Sequence, residues 1–270
     1  MNYFQYFLKL LQQQNGTVRF CNTDQFIGNE SIVAYQIQHG VDIDMQHQFV
    51  EGVQKIYLFL AADSVVTLTS LELLNSVIVN ADVEIVVVLE RNATFYMKFA
   101  LLYALKIKVS ISIYLQEDCS TADVKGLYAI DAMQNVVVNT YQYHVGRYSQ
   151  SDVMVNGMLN GLSSAAYQGL IKIEKPSHGS KASQENKNIV LSAGARVISV
   201  PSIEVLQRDV QCYHGSAIGN FDQNALWYLQ SRGFLPEQAK EYLIRSFFHT
   251  VLEGLKGHNK IKDAICQKMI

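Results

Sequence analysis

The chain has 270 residues, 49% of them apolar, with a net charge of −2 and only 3 prolines. That length and apolar share suffice for a sizeable core in one large domain, or one plus a smaller partner, and exclude wholesale disorder. The near-neutral charge leaves no electrostatic footprint for nucleic acid or an anionic membrane, so neither is an expected partner.

The opening stretch MNYFQYFLKLLQQQNG puts Tyr3, Phe4, Phe7, Leu8, Leu10 and Leu11 at helical spacing and stops at Gly16. This predicts a short N-terminal helix over residues 1–16. It has no cationic start and no small-residue cleavage site, so a secretory signal is not expected. No stretch approaches the roughly 18 apolar residues of a membrane span, because Lys98, Lys106 and Lys108 interrupt the best candidate. The cysteines (Cys21, Cys119, Cys212 and Cys266) are too scattered for a zinc or redox motif. They read as free thiols in a reducing compartment, so the expected location is the cytoplasm.

From Thr17 onward strand follows strand. SIVAYQIQ (31–38), KIYLFLA (55–61), VEIVVVLE (83–90), KVSISIYL (108–115), NVVVNTYQYHV (135–145) and LIKIEK (170–175) are rich in β-branched and aromatic residues. Most alternate with period two, which marks a half-buried strand. Two architectures fit: a sandwich of hairpins, or a parallel β-helix whose rungs bury their inner faces and turn residues such as Ser110 and Ser112 outward. The scarcity of proline and of Asn-Gly or Asp-Gly hairpin turns between matched strands favours the β-helix, although no strict repeat length emerges.

After Gly219 the pattern changes to helical. Asp222 is placed to cap a helix through Trp227 and Leu229, with Gly233 closing it. Pro236 then opens a second helix with Glu237 in its first turn. Its apolar stripe would be Ala239, Tyr242, Leu243, Ser246, Phe247 and Val251. A third helix is expected over 259–268, with Lys256, Lys260, Lys262 and Lys268 on a solvated face. The organisation expected is therefore a helix at 1–16, a β core at 17–214 and a helical domain at 215–270.

The border between strands and helices carries the sequence's one suggestive cluster, DVQCYHGSAIG (209–219). Cys212 and His214 lie two apart on a strand and so share a face, with Tyr213 on the other, where it reads as packing. A neutral imidazole is a competent iron ligand, and Gly215 lets a neighbouring chain approach. One histidine is not a site, however, and Cys212 reads more readily as apolar filler. Cys21, Cys119 and Cys266 read as structural.

The same region resembles the SufB/SufD family of iron–sulfur cluster assembly scaffolds. The likeness rests on Pro201-Ser202-Ile203-Glu204, Asp209-Val210, His214-Gly215, Asp222 ahead of Leu226-Trp227-Tyr228-Leu229, Ser231-Arg232-Gly233 and Glu237-Gln238-Ala239. An upstream segment, SKASQENKNIVLS (180–192), resembles the family's A-x-Q-x-N element. The likeness covers roughly residues 151–248. It implies a right-handed parallel β-helix followed by a small helical domain. Its His-Gly at 214–215, and Ala195 where SufB-type chains carry a cysteine, resemble the SufD branch.

The resemblance implies a non-catalytic scaffold with two partners. A SufB-like subunit would pair along the last rungs, for which Ile189, Leu191, Val197, Val200 and Glu204 are candidates. A SufC-like ABC ATPase would dock on the helices, with Trp227, Tyr228, Arg232 and Phe234 as anchors of the kind interfaces favour. The implied metal contact is His214, with Cys212 second. It would meet iron or a transient iron–sulfur cluster at the interface with SufB, with no cofactor held stably by this chain alone. In isolation the same edge could pair two copies as a homodimer.

No phosphate-binding loop and no G-x-S-x-G, H-E-x-x-H or G-x-G-x-x-G motif occurs. A polysaccharide-active β-helix would want paired carboxylates on one groove, yet acidic residues within the strands are sparse: Glu84, Glu90, Glu174 and Glu204. That enzyme, and a purely structural solenoid, are the alternatives to the scaffold.

Overall fold

A computed structural model describes residues 17–21, 25–27, 31–72, 78–253, 255 and 258–270. The helix expected at 1–16 lies outside the described residues. The strands fall into two parallel sheets that the chain visits alternately. Sheet A contains β1 (Thr17–Cys21), β3 (Ile32–Ile37), β5 (Gly52–Leu60), β7 (Asn80–Leu89), β9 (Lys106–Leu115), β11 (Asn135–His144), β13 (Ser164–Ile173) and β15 (Arg196–Val205). Sheet B contains β2 (Gln25–Ile27), β4 (Asp42–Phe49), β6 (Val65–Glu72), β8 (Thr94–Leu101), β10 (Thr121–Ile130), β12 (Gln150–Leu159), β14 (Lys181–Val190) and β16 (Gln211–Gly219). Each strand pairs with the strand two ahead of it in sequence, which is a parallel β-solenoid.

The advance per turn varies, which is why no repeat could be read from the sequence. It is 23 residues between His47 and Ser70, 29 between Ser110 and Asn139 and 31 between Val155 and Asn186. The corner from sheet A into sheet B is nonetheless regular. Gly40, Asp63, Asn92, Cys119, Tyr148 and Gly179 all have positive φ, and each sits two residues before a sheet B strand. Their N–H groups donate to Ala62, Arg91, Asp118, Arg147, His178 and Asp209 of the next turn, giving a continuous hydrogen-bonded spine. Cys119 belongs to this spine and is exposed, so it is a corner residue and not apolar filler.

The inner faces alternate as parallel strands require. In β9, Ile107, Val109, Ile111, Ile113 and Leu115 are buried between outward Ser110, Ser112 and their neighbours. Large inner side chains meet small ones in register: a Cβ on Gly157 would lie 2.1 Å from the ring of Tyr128 one rung below.

Among the described residues four helices follow the last strand: α1 (Gln223–Ser231), α2 (Pro236–Phe247), α3 (His249–Leu252) and α4 (His258–Met269). The strand β16 pairs with β14 as far as Gly219, so the β core runs past the boundary expected at 214. Asp222 caps α1 through the N–H groups of Asn224 and Ala225. Gly233 has φ +94, and Pro236 begins α2 beside a Leu235 N–H bond to Gln238 Oε1. Ile244, Phe248, Val251, Leu252, Ile261, Ile265 and Met269 pack on Ala100, Leu102, Leu127, Ala129 and Met158, covering the C-terminal ends of sheet B on its outer side. Lys268 latches α4 there: its Nζ lies 2.7 Å from Gln134 Oε1 and 2.9 Å from Asp131. The expected stripe of α2 is corrected in part: Ala239 is buried, but Tyr242 and Ser246 face outward while Ile244 and Phe248 seal the contact. No helix among the described residues is long and apolar enough to cross a membrane.

Candidate functional site

The solenoid ends at β15 and β16, which close their sheets' orders and pair on one side only among the described residues. Register fixes which side chains look into the lumen there. Val197, Ser199, Pro201, Ile203 and Val205 continue the inward column of Ala165, Tyr167, Gly169, Ile171 and Ile173. Cys212, His214, Ser216 and Ile218 continue that of Ala182, Gln184, Asn186 and Asn188. With no further rung above them among the described residues, Val197, Ser199, Pro201 and Cys212 are half-buried and Ile203, Val205, His214, Ser216 and Ile218 are exposed. Ser216 Oγ donates to Ser199 Oγ across the opening at 2.8 Å.

Cys212 and His214 therefore do share a face, pointing into the open mouth of the solenoid. Cys212 is half-buried against Ile171, Ile173 and Ala182, and that burial pushes its thiol above the ordinary range. A thiol held protonated is a poor ligand until a metal displaces its proton; His214 beside it is exposed. Among the described residues no group of three or more His, Cys, Asp or Glu could hold a metal ion. A two-donor set leaves an iron or cluster with positions to be filled from outside these residues. Tyr213, on the opposite face, is 57% exposed, so it does not pack as the alternation suggested.

The edge candidates separate into two groups. Val197, Val200 and Glu204 lie on terminal β15, with Val197 tucked against the core and Val200 and Glu204 exposed. Ile189 and Leu191 are not on an open edge: β14 is paired on both sides, and both residues pack under the helices. Ile198, Val205 and Leu206, within the expected edge segments 197–200 and 204–206, are exposed too, and the exposed apolar residues that sequence reasoning missed here are Ile203 and Ile218. Their signal was present, since RVISVPSIEV is apolar on both faces of a strand, as an outermost strand with a covered outer side would be.

On the helices, Trp227 is 65% exposed, Tyr228 58% and Phe234 39%. Arg232 lies over the Tyr228 ring at 5.1 Å, and Phe234 stands 6.1 Å from Tyr242. Leu235 and Tyr242 extend this surface and were not anticipated.

Behind the mouth the lumen is polar, which the sequence reading also missed. Thr140, Gln142, His144, Ser149 and Gln184 are fully buried. Ser151 donates to Gln142 Oε1 at 2.5 Å, so His144 donates from Nε2 to Ser151, while its Nδ1 lies 2.8 Å from Ser149 Oγ. Burial lowers the His144 pKa to about 4, which keeps this imidazole neutral.

Comparison with known proteins decides the family. The model of the SUF system FeS cluster assembly SufBD core domain matches residues 12–247. The chain belongs to the SufBD family of iron–sulfur cluster assembly proteins. Among relatives, it is 32% identical over 157 residues to an iron–sulfur cluster assembly SufBD family protein of Mycobacterium leprae, covering 55% of this chain and 40% of that one. It is 28% identical over 141 residues to SufD of Bacillus subtilis, covering 52% of this chain and 32% of that protein. The corresponding values for SufD of Escherichia coli are 24% over 168 residues, 62% and 40%. The SufBD chain thus spans well under half the length of these relatives. The family match also reaches far upstream of residue 151, where its motifs had ceased to be legible.

Proposed function

We propose that this SufBD-family chain is a SufD-like, non-catalytic scaffold subunit of a cytoplasmic iron–sulfur cluster assembly machine. The observation that carries the reading is the terminal rung, uncapped among the described residues. A one-sided β edge beside exposed Ile198, Val200, Ile203 and Ile218 is a template for another chain's strands. A SufB-like subunit pairs along β15 and β16 and supplies the ligands that His214 and Cys212 lack. Iron or a transient cluster then sits between the two mouths as cargo, with His214 as this chain's main contact. A SufC-like ATPase docks on Trp227, Tyr228, Arg232 and Phe234, where three exposed aromatics and a guanidinium form a patch of the composition interfaces favour.

The test is co-expression with SufB-like and SufC-like proteins from the same source, purifying on a tag carried by this chain. A stoichiometric complex through gel filtration is expected, with the ATPase lost on Trp227→Ala/Tyr228→Ala and cluster absorption lost on His214→Ala. Failure to retain either partner at micromolar concentration refutes the scaffold reading. A homodimer that dissociates when the SufB-like chain is added supports the shared edge.

A further inference from the structure

The terminal strand carries on its outer face an arrangement that the mouth does not use. Tyr213 points away from the lumen, between inward Cys212 and His214, and is 57% exposed. Its phenol lies along the strand over Gly215, two residues on and so on the same face. A Cβ on Gly215 would stand 2.5 Å from Tyr213 Oη and 3.1 Å from Cζ. Gly215 does not have a positive φ, so the backbone makes no demand for glycine, and the absent side chain makes room for the ring instead. Below the ring, in register on β14, stands the smaller Ser183. Above it no strand follows among the described residues. Sheet A shows what an outward ring meets where a strand does follow. Tyr114 of β9 and Tyr143 of β11 are register partners on its outer face, and their rings stack with centroids 4.6 Å apart at 11°. The spacing of neighbouring strands, about 4.8 Å, is itself a stacking distance. Tyr213, on its one-sided edge, is half of such a pair.

We propose that Tyr213, seated by Gly215, sets the register of the strand that a partner adds to β16, by stacking on an aromatic ring that this strand turns outward one rung above. The inference rests on the reading of β16 as an edge that a SufB-like subunit extends. Backbone pairing alone leaves register open, since every residue offers the same N–H and C=O groups, and cross-strand side-chain pairs decide it. A slip of one residue turns the incoming ring to the other face. A slip of two carries it about 7 Å along the strand, out of stacking reach. Because side chains alternate between faces, the register chosen outside also decides which inward side chains of the partner meet His214 and Cys212 across the mouth. Tyr213 is thus a positioning residue for that junction without touching what lies in it.

The experiment titrates the full chain with the SufB-like subunit from the same source, comparing wild type with Tyr213→Ala, Tyr213→Phe, Gly215→Ala and Tyr213→Ala/Gly215→Ala. Urea unfolding of each variant alone checks that it folds, as surface changes on one strand should allow. The dissociation constant is expected to rise about three- to tenfold in Tyr213→Ala and to stay at the wild-type value in Tyr213→Phe, which keeps the ring. Gly215→Ala displaces the ring and should weaken binding as much as Tyr213→Ala does. In the Tyr213→Ala background the same change should add less than about twofold, because the two residues act as one unit. A Gly215→Ala penalty of equal size in both backgrounds overturns the proposal, since the glycine then serves the partner's approach and not the ring. So does a Tyr213→Phe variant as weak as Tyr213→Ala, which would put the contact on the phenol oxygen. If the wild-type chain retains no SufB-like subunit, the reading of the edge falls and the proposal with it. If wild type binds and a folded Tyr213→Ala binds equally well, only the role of Tyr213 falls.

Discussion

The rungs through β7 and β9 and those through β11 to β14 share one backbone and differ in what fills it. The first are packed with Val83, Ile85, Val87, Leu89, Val109, Ile111 and Ile113. The second place Thr140, Gln142, His144, Gln184 and Asn186 at equivalent inward positions. The difference teaches that parallel pairing, and not inner-face chemistry, sets the coil. A rung tolerates a polar interior if its groups satisfy one another, and here the polar stretch lies beside the open mouth.

The contrast can be broken most strongly from the apolar side. Ile111→Ala should cost about 2–5 kcal/mol in urea unfolding, because a dry, rigid interior cannot collapse around the void. A loss below that range would mean the apolar rungs are as loosely filled as the polar ones.

Acid sharpens it next. The folded pKa of His144, about 4, lies below the unfolded value of 6.5, so the unfolded chain takes up the proton more readily. The contribution of His144 is complete above pH 6.5 and declines as pH falls towards 4. Its size is roughly 3 kcal/mol at 1.36 kcal/mol per pH unit separating the two values. His47, also lowered to about 4 mainly by burial, adds a similar dependence in an earlier rung. Replacing His144 by Asn should remove about half of the steepening between those limits, measured by unfolding at a series of pH values; an unchanged profile would show that His144 is not held neutral.

Smaller effects separate the polar network from the helical cover. Gln142→Leu strands its hydrogen-bond partners Ser151 and Gln184 and should cost about 1–3 kcal/mol, whereas replacing all three by apolar residues of matching size should recover much of that. Lys268→Met should cost about 1–2 kcal/mol and speed amide exchange in α4 while leaving β9 and β11 protected. Smallest, Asp222→Ala should destabilise α1 by about 1 kcal/mol, visible in local exchange and not in the global unfolding midpoint.

Legibility followed the same physics. The segments read as strands, from 31–38 to 170–175, all fall in sheet A, whose runs are dense in β-branched and aromatic residues. Sheet B was missed up to its last rungs although β4 and β6 alternate, because DIDMQHQF carries polar residues on both faces and the later strands lose the alternation. TADVKGLYAI and QSDVMVNGML place Gly126 and Gly157 inward to clear aromatic rings, and their C-terminal ends are apolar on both sides because helices cover them. The Asp222 cap, Pro236 start and Gly233 stop were legible since each acts through its own backbone. The polar lumen could have been read from NTYQYHV, whose Gln142 and His144 share the face set by Val136 and Val138. The Gln184 amide, whose Nε2 has no hydrogen-bond partner among the described residues, and the uncapped mouth depend on register between residues some thirty apart in sequence, which no local pattern records.

The corner spine of Gly40, Asp63, Asn92, Cys119, Tyr148 and Gly179 makes the molecule a spool whose length is adjustable in whole winds. A cut from one of these residues to the next removes a wind and rejoins two ends of matching shape. Residues added or lost elsewhere in a wind only change its girth. Lineages built on such a spool can lengthen or shorten the barrel while carrying the same mouth, with His214 at its lip, unchanged to the end.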